Sequence, residues 1–203
     1  MISVAISGAS GPIIGIRLIE ELLKAGRKTD CVVSLPAKRI IEYEIFEESQ
    51  KFTTLKSLLE TRNFFLNTHL LAEYENDDFF APAASGSTKF EAAVVAPCSM
   101  KTVSAIVNGY ADSLINRICD VALKEKRACV IVPRETPLSE VHTKNLHRAA
   151  KLGISVLMPV PGFYARPETA DDIVNFIVGK ILNLLDIDHN LFKSWDNRAN
   201  QGV

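Results

Sequence analysis

Residues 97–102, Pro97-Cys98-Ser99-Met100-Lys101-Thr102, put two hydroxyls, a cation and the free backbone donors of a helix start side by side. That set suits a phosphate or the polar edge of a flavin ring, because unpaired N–H groups and the helix dipole both favour an anion there. A capped helix with a surface lysine contains the same residues. Four other short stretches carry related chemistry. Ser7-Gly8-Ala9-Ser10-Gly11 is a small-residue turn before a helix, with glycines spaced G-x-x-G-x-x-x-G through Gly15, which is neither the dinucleotide fingerprint nor a Walker loop. Ser34 closes a strand where a nicotinamide-binding fold offers an acid to the ribose, which argues against that cofactor. Arg134 and Glu135 stand between Pro133 and Pro137, and a rigidly placed guanidinium suits phosphate. Pro161-Gly162-Phe163-Tyr164 is stiff and aromatic.

These residues need a scaffold, and the rest of the sequence supplies one. The chain has 203 residues, 47% hydrophobic and 23% charged, which is the composition of one ordinary globular domain. With 23 Lys+Arg against 24 Asp+Glu the net charge is -1, so nothing draws the whole molecule to nucleic acid or an anionic membrane. Cys31, Cys98, Cys119 and Cys129 form no C-x-x-C pair and read as reduced thiols, and no metal site is expected. No apolar run reaches the roughly 20 residues of a spanning helix, and the N-terminus lacks a basic, apolar leader, which makes the cytoplasm the expected location.

Apolar strands over 2–6, 31–34, 92–96, 128–132 and 154–158 alternate with helical periodicity after 12, over 37–48, through 115–123, after Ser139 and after Thr169. Pro97 is expected to stop its strand, with Ser99 or Thr102 capping the helix that follows. Residues 49–90 are the least readable segment, with a helix near Leu55, Leu58 and Leu59, a strand at 70–74 and, at 81–87, small residues that suit a flexible loop over a site. Arg117 and Lys124 share one side of a helix. His142 and His147, five apart, read as surface histidines. The expected architecture is an α/β, Rossmann-like, doubly wound and mainly parallel sheet with helices on both faces. Residues 1–185 form one domain. Residues 186–203, with Trp195, form a tail expected to pack at a subunit interface or pocket mouth. In such sheets ligands bind beyond the carboxyl ends of the strands, which gathers residues 7–11, Ser34, 99–102, Arg134-Glu135 and 161–164 on one edge. Arg117, Lys124, Arg134 and Lys180 are cations enough for two phosphates.

Seven stretches in order give the chain a resemblance to the flavin prenyltransferases of the UbiX/Pad type. They are Ser7-Gly8-Ala9-Ser10-Gly11, Ser34 with Glu44, Ala84-Ser85-Gly86-Ser87, 97–102, Leu123-Lys124-Glu125-Lys126-Arg127, 132–138, and 159–164 with Arg166-Pro167. The resemblance implies transfer of a dimethylallyl group from dimethylallyl monophosphate to N5 and C6 of reduced FMN, without a metal, with the product passed to a UbiD-type decarboxylase. It further implies a homo-oligomer, a dodecamer, with sites between subunits.

Residue by residue, the resemblance assigns Gly8, Ala9, Ser10, Ser34, Ser99, Met100, Lys101, Thr102 and Arg134 to FMN. It assigns Lys124, Glu135, Tyr164 and Lys180 to the prenyl phosphate, the last two from another subunit, and Ser10, Glu44 and Glu135 to proton handling. Lys180 stands where many members carry arginine, keeping the charge but losing the bidentate fork. The related cysteine decarboxylases depend on a histidine and a Pro-x-Met-Asn segment that 161–164 does not match. A non-catalytic flavin carrier remains as the alternative, although it gives Lys124 and Arg134-Glu135 no common use.

Overall fold

In a computed structural model that describes residues 1–47, 50–63 and 66–193, alternating apolar strands and amphipathic helices build one parallel sheet. The strands are β1 (Ile2–Ile6), β2 (Thr29–Val33), β3 (Leu71–Tyr74), β4 (Ala92–Cys98), β5 (Ala128–Pro133) and β6 (Ser155–Val156). Their order is β3-β2-β1-β4-β5-β6, and every pairing is parallel. β1, β2 and β4 are buried along their whole length, as expected for strands covered on both faces.

The helices are α1 (Pro12–Lys24), α2 (Leu35–Ile45), α3 (Leu55–Arg62), α4 (Met100–Val107), α5 (Leu114–Lys124), α6 (Glu140–Lys151) and α7 (Ala170–Leu184). Strand alternation sorts the core into two halves. Val4, Ile6, Val94 and Val130 face α1, α2, α3 and α7, whereas Ala5, Val95 and Ile131 face α4, α5 and α6. Each fully buried Leu or Ile contributes about 1.5–3 kcal/mol, so Ile16, Leu18, Ile19, Leu22 and Leu23 make α1 the best-anchored helix of its layer. Gly15 permits that anchoring: a Cβ there would lie 2.2 Å from the carbonyl oxygen of Ala96 and 2.8 Å from Ile6.

Several boundaries differ from the sequence-based expectation. β4 does not stop at Pro97. The ladder slips between Val95 and Cys98 and then resumes, with Cys98 opposite Pro133. Proline lacks the N–H that the ladder needs, yet its carbonyl still accepts, so the strand bulges instead of ending. β6 is only two residues long because it is the edge strand and pairs solely with β5. α2 begins at Leu35, two residues early, because Ser34 accepts from Ala37 N and so caps it. Glu48, the expected end of that helix, lies outside the described residues, as does Trp195. The described part of the tail folds back on α7: Ile187 is buried, and Phe192 packs 4.9 Å from the Phe176 ring.

Candidate functional site

The sheet order reverses between β1 and β4, and the turns that leave these two strands are stitched together. Ser7 N and Ser7 Oγ both donate to the Pro97 carbonyl, at 3.1 and 3.0 Å, while Ser99 N donates to Ser7 Oγ at 2.8 Å. Ser34 N donates to the Ile6 carbonyl and Arg134 N to the Cys98 carbonyl, which ties the exits of β2 and β5 to the same row. Four strand-end turns are thereby fixed side by side at one edge.

At each helix start the capping bonds decide which donors stay free. At α4, Ser99 Oγ accepts from Thr102 N and shares a 2.9 Å hydrogen bond with Thr102 Oγ1, and Ser99 O accepts from Val103 N. Among the described residues this leaves the N–H groups of Met100 and Lys101 unpaired at the positive end of the helix. In the first turn Ala9 N donates to Ser7 O and Gly11 N to Glu44 Oε2 at 2.9 Å, leaving Gly8 N and Ser10 N. Gly11 has φ 89, a left-handed backbone that suits glycine. Gly8 has no room for a side chain, since a Cβ would meet Pro36 at 2.7 Å. α2 therefore lies across the edge, its first turn against Gly8 and its last bringing Glu44 to Gly11.

Arg134 closes the row. Its Nε is buried without a hydrogen-bond partner, although its backbone N–H is satisfied by Cys98. A buried guanidinium N–H left unpaired is costly, and its need is met by an anion or carbonyl placed beside it. Glu135 turns back on its own loop, accepting from Thr136 N at 3.0 Å. Cys98, inside the central turn, is fully buried, and burial pushes its thiol up, so it fills space and offers no thiolate. The Cys119 thiol is likewise raised, chiefly through its hydrogen bond with Cys129, and all four cysteines are free.

Gly8, Ala9, Ser10, Ser34, Glu44, Ser99, Met100, Lys101, Thr102, Arg134 and Glu135 thus share the carboxyl edge. Tyr164 sits in the loop leaving β6 and leans edge-on against Phe176, 5.7 Å between centroids. Lys180, exposed, lies one turn beyond Phe176. Lys124 is elsewhere. It ends α5, just before β5 begins, and so stands at the amino edge of the sheet. There it pairs with Glu125 at 3.2 Å, against Gly86. β4 alone has seven residues, and at ~3.3 Å each it separates the two edges by about 23 Å. No single chain brings Lys124 to Arg134.

Residues 81–87 stay with Lys124 rather than arching over the carboxyl edge. Arg117 Nε donates to the Ala84 carbonyl, and Arg127 donates to the carbonyls of Gly86 and Thr88. Arg117 also pairs with Asp120 at 2.6 Å, so its charge is already partnered within the chain. His142 is spent in a capping box with Ser139. Sequence reasoning placed Ser7 in the small-residue turn at the ligand edge but gave its hydroxyl no role of its own, because its partners are some ninety positions away.

The donor set fits a flavin nucleotide: free N–H groups at two helix starts, a hydroxyl pair, and one buried guanidinium N–H without a partner. Comparison with known proteins agrees. The flavoprotein family matches residues 1–182. The flavin prenyltransferase UbiX of Methanocaldococcus jannaschii is 46% identical over 197 residues, spanning 96% of this chain and 97% of that protein. A crystal structure of AnUbiX (PadA1) in complex with FMN and dimethylallyl pyrophosphate superposes with a TM-score of 0.84 at 36% identity, covering 96% of each chain. A dodecameric FMN-dependent UbiX-like decarboxylase from Escherichia coli O157:H7 gives 0.82 at 34%, covering 96% of this chain and 99% of the other. The chain belongs to the flavoprotein family, among its flavin prenyltransferase UbiX members.

Proposed function

We propose that the chain transfers a dimethylallyl group from dimethylallyl monophosphate to reduced FMN. The observation that carries this reading is the buried, unpartnered Nε of Arg134 on the same sheet edge as the free donors of Met100 and Lys101. When bound, reduced FMN supplies the nucleophilic N5 and C6 that accept the prenyl carbons. Gly8, Ala9, Ser10, Ser34, Ser99, Met100, Lys101 and Thr102 would hold it, with Arg134 between flavin and phosphate. As the allylic C–O bond breaks, negative charge grows on the leaving phosphate. Arg134, Lys124, Lys180 and Tyr164 would supply cations and donors there, with Glu135 beside them. Ser10 and Glu44, brought to one turn by the Gly11 hydrogen bond, would relay protons at the flavin, and Glu135 or the released phosphate would take the proton lost on ring closure.

The reading includes a homo-oligomer, a dodecamer, in which a second chain completes the phosphate site. Three facts support it: Lys124 stands at the wrong edge of its own sheet, and Tyr43 and Phe163 are 89% and 77% exposed in the isolated chain. Among the described residues no helix is long and apolar enough to cross a membrane. We place the enzyme in the cytoplasm, in keeping with its four free thiols, and its product with a UbiD-type decarboxylase.

The test is to incubate the purified protein anaerobically with reduced FMN and either dimethylallyl monophosphate or diphosphate, then weigh the flavin. The monophosphate is expected to give a flavin heavier by one dimethylallyl unit. Turnover with the diphosphate alone would reassign the donor. Bound but unaltered FMN with both donors would favour the carrier reading.

A further inference from the structure

We propose that Ser7 is a positioning residue for the flavin, acting through Ser99 without touching the ligand; the inference rests on the reading of the carboxyl edge as an FMN site. Ser7 is 1% exposed. Its hydroxyl makes two hydrogen bonds across the switch point, giving its proton to the Pro97 carbonyl at 3.0 Å and accepting from Ser99 N at 2.8 Å. With Ser7 N on the same carbonyl at 3.1 Å, both lone-pair directions of Pro97 O are occupied.

The clamp has a consequence one residue further on. Ser99 is the N-cap of α4, so holding its N–H fixes the residue whose Oγ receives Thr102 N and whose O receives Val103 N. The direction of the first turn of α4, and hence of the free Met100 and Lys101 N–H groups, depends on where Ser99 is held. The bulge makes this useful: β5 regains its pairing at Cys98, but on the β1 side regular pairing ends at Ala5 opposite Val95, short of the turn. Between β1 and the start of α4, the Ser7 hydroxyl takes the place of a ladder acceptor for Ser99 N.

A control lies in β1, the strand that leads into Ser7. Ser3 is equally buried, at 1%, but its Oγ has no hydrogen-bond partner. Ser7→Ala and Ser3→Ala therefore remove the same atom from equally buried positions, and only the first opens the clamp. FMN affinity is measured by titration of each full-length variant with FMN, and the KM for dimethylallyl monophosphate is measured at saturating reduced FMN.

Ser7→Ala is expected to raise the FMN Kd about tenfold, the usual effect of losing such a bond, while leaving the donor KM unchanged. Ser3→Ala is expected to leave both unchanged, and Ser7→Cys, which keeps a weaker donor and acceptor in place, to fall between wild type and Ser7→Ala. Wild-type FMN affinity in Ser7→Ala overturns the proposal. So does an equal loss in Ser3→Ala, which would make the effect one of packing. If Ser7→Ala does not fold, Ser7→Cys decides: a raised FMN Kd supports the clamp, and a wild-type value overturns it. Wild-type protein that fails to bind FMN would instead remove the functional reading on which the clamp rests.

Discussion

Glu44 joins a role carried by charge to one carried by geometry, and the two are separable. Its carboxylate accepts the Gly11 N–H at 2.9 Å, so one function of the side chain is to hold the first turn and the last turn of α2 together. A glutamine keeps a carbonyl oxygen in the same place for that bond but cannot take a proton. Glu44→Gln is therefore expected to retain FMN affinity while slowing prenyl transfer by about 10²-fold or more, the usual contribution of a positioned acid or base. Glu44→Ala loses the bond as well and is expected to weaken FMN binding in addition. Flavin titration together with single-turnover rates separates the two variants. Unchanged turnover in Glu44→Gln would leave the residue a purely structural one.

At the scale of elements, the carboxyl edge works because α1 lies close enough to β4 to bring the Ser7 and Pro97 turns together. Gly15 sets that distance, and its missing Cβ would otherwise meet the Ala96 carbonyl oxygen at 2.2 Å. Gly15→Ala must push α1 off the sheet, with a cost of about 1–3 kcal/mol for overpacking. Because the displaced carbonyl is next to Pro97, FMN affinity is expected to fall together with the urea midpoint. A lowered midpoint with wild-type FMN affinity would mean that the turns tolerate the shift. The sequence made the helices and buried strands legible because their periodicity is local: Ser34, Ser99, Ser139 and Thr169 cap the expected helices. It was silent or misleading where the deciding partner is distant. Residues 81–87 have the composition of a mobile loop, yet Arg117 and Arg127, more than thirty positions on, and the buried Ala83 and Ala84 hold them to α5. Pro97 reads as a strand end because its lost donor is visible in the sequence, whereas the Ser7 donors that use its carbonyl are not.

For the whole molecule, the decisive feature is that the residues assigned to one phosphate are distributed over both edges of the sheet. Arg134 stands at the carboxyl edge and Lys124 at the amino edge, with β4 and its seven residues between them, so neither a long side chain nor a loop shift unites them within one chain. A site that uses both must draw them from two copies, as closed assemblies with one chain's surface completing another's readily provide. This arrangement can be tested by complementation. Lys124→Ala and Arg134→Ala chains, each purified alone, are expected to transfer little prenyl group. When the two carry different tags, are co-expressed, and are isolated as mixed assemblies, half of the sites receive Arg134, and half of those receive Lys124 from the neighbouring chain. The mixed assemblies are therefore expected to recover about a quarter of wild-type activity. If each site took both residues from the same chain, no site in the mixture would be intact and nothing would be recovered. Recovery near a quarter, measured as prenylated flavin per mole of chain, identifies the phosphate site as shared. Absence of recovery in assemblies that contain both tags would overturn the shared site, whereas full activity of Lys124→Ala chains purified alone would confine the chemistry to the carboxyl edge and leave Lys124 with only its pairing to Glu125.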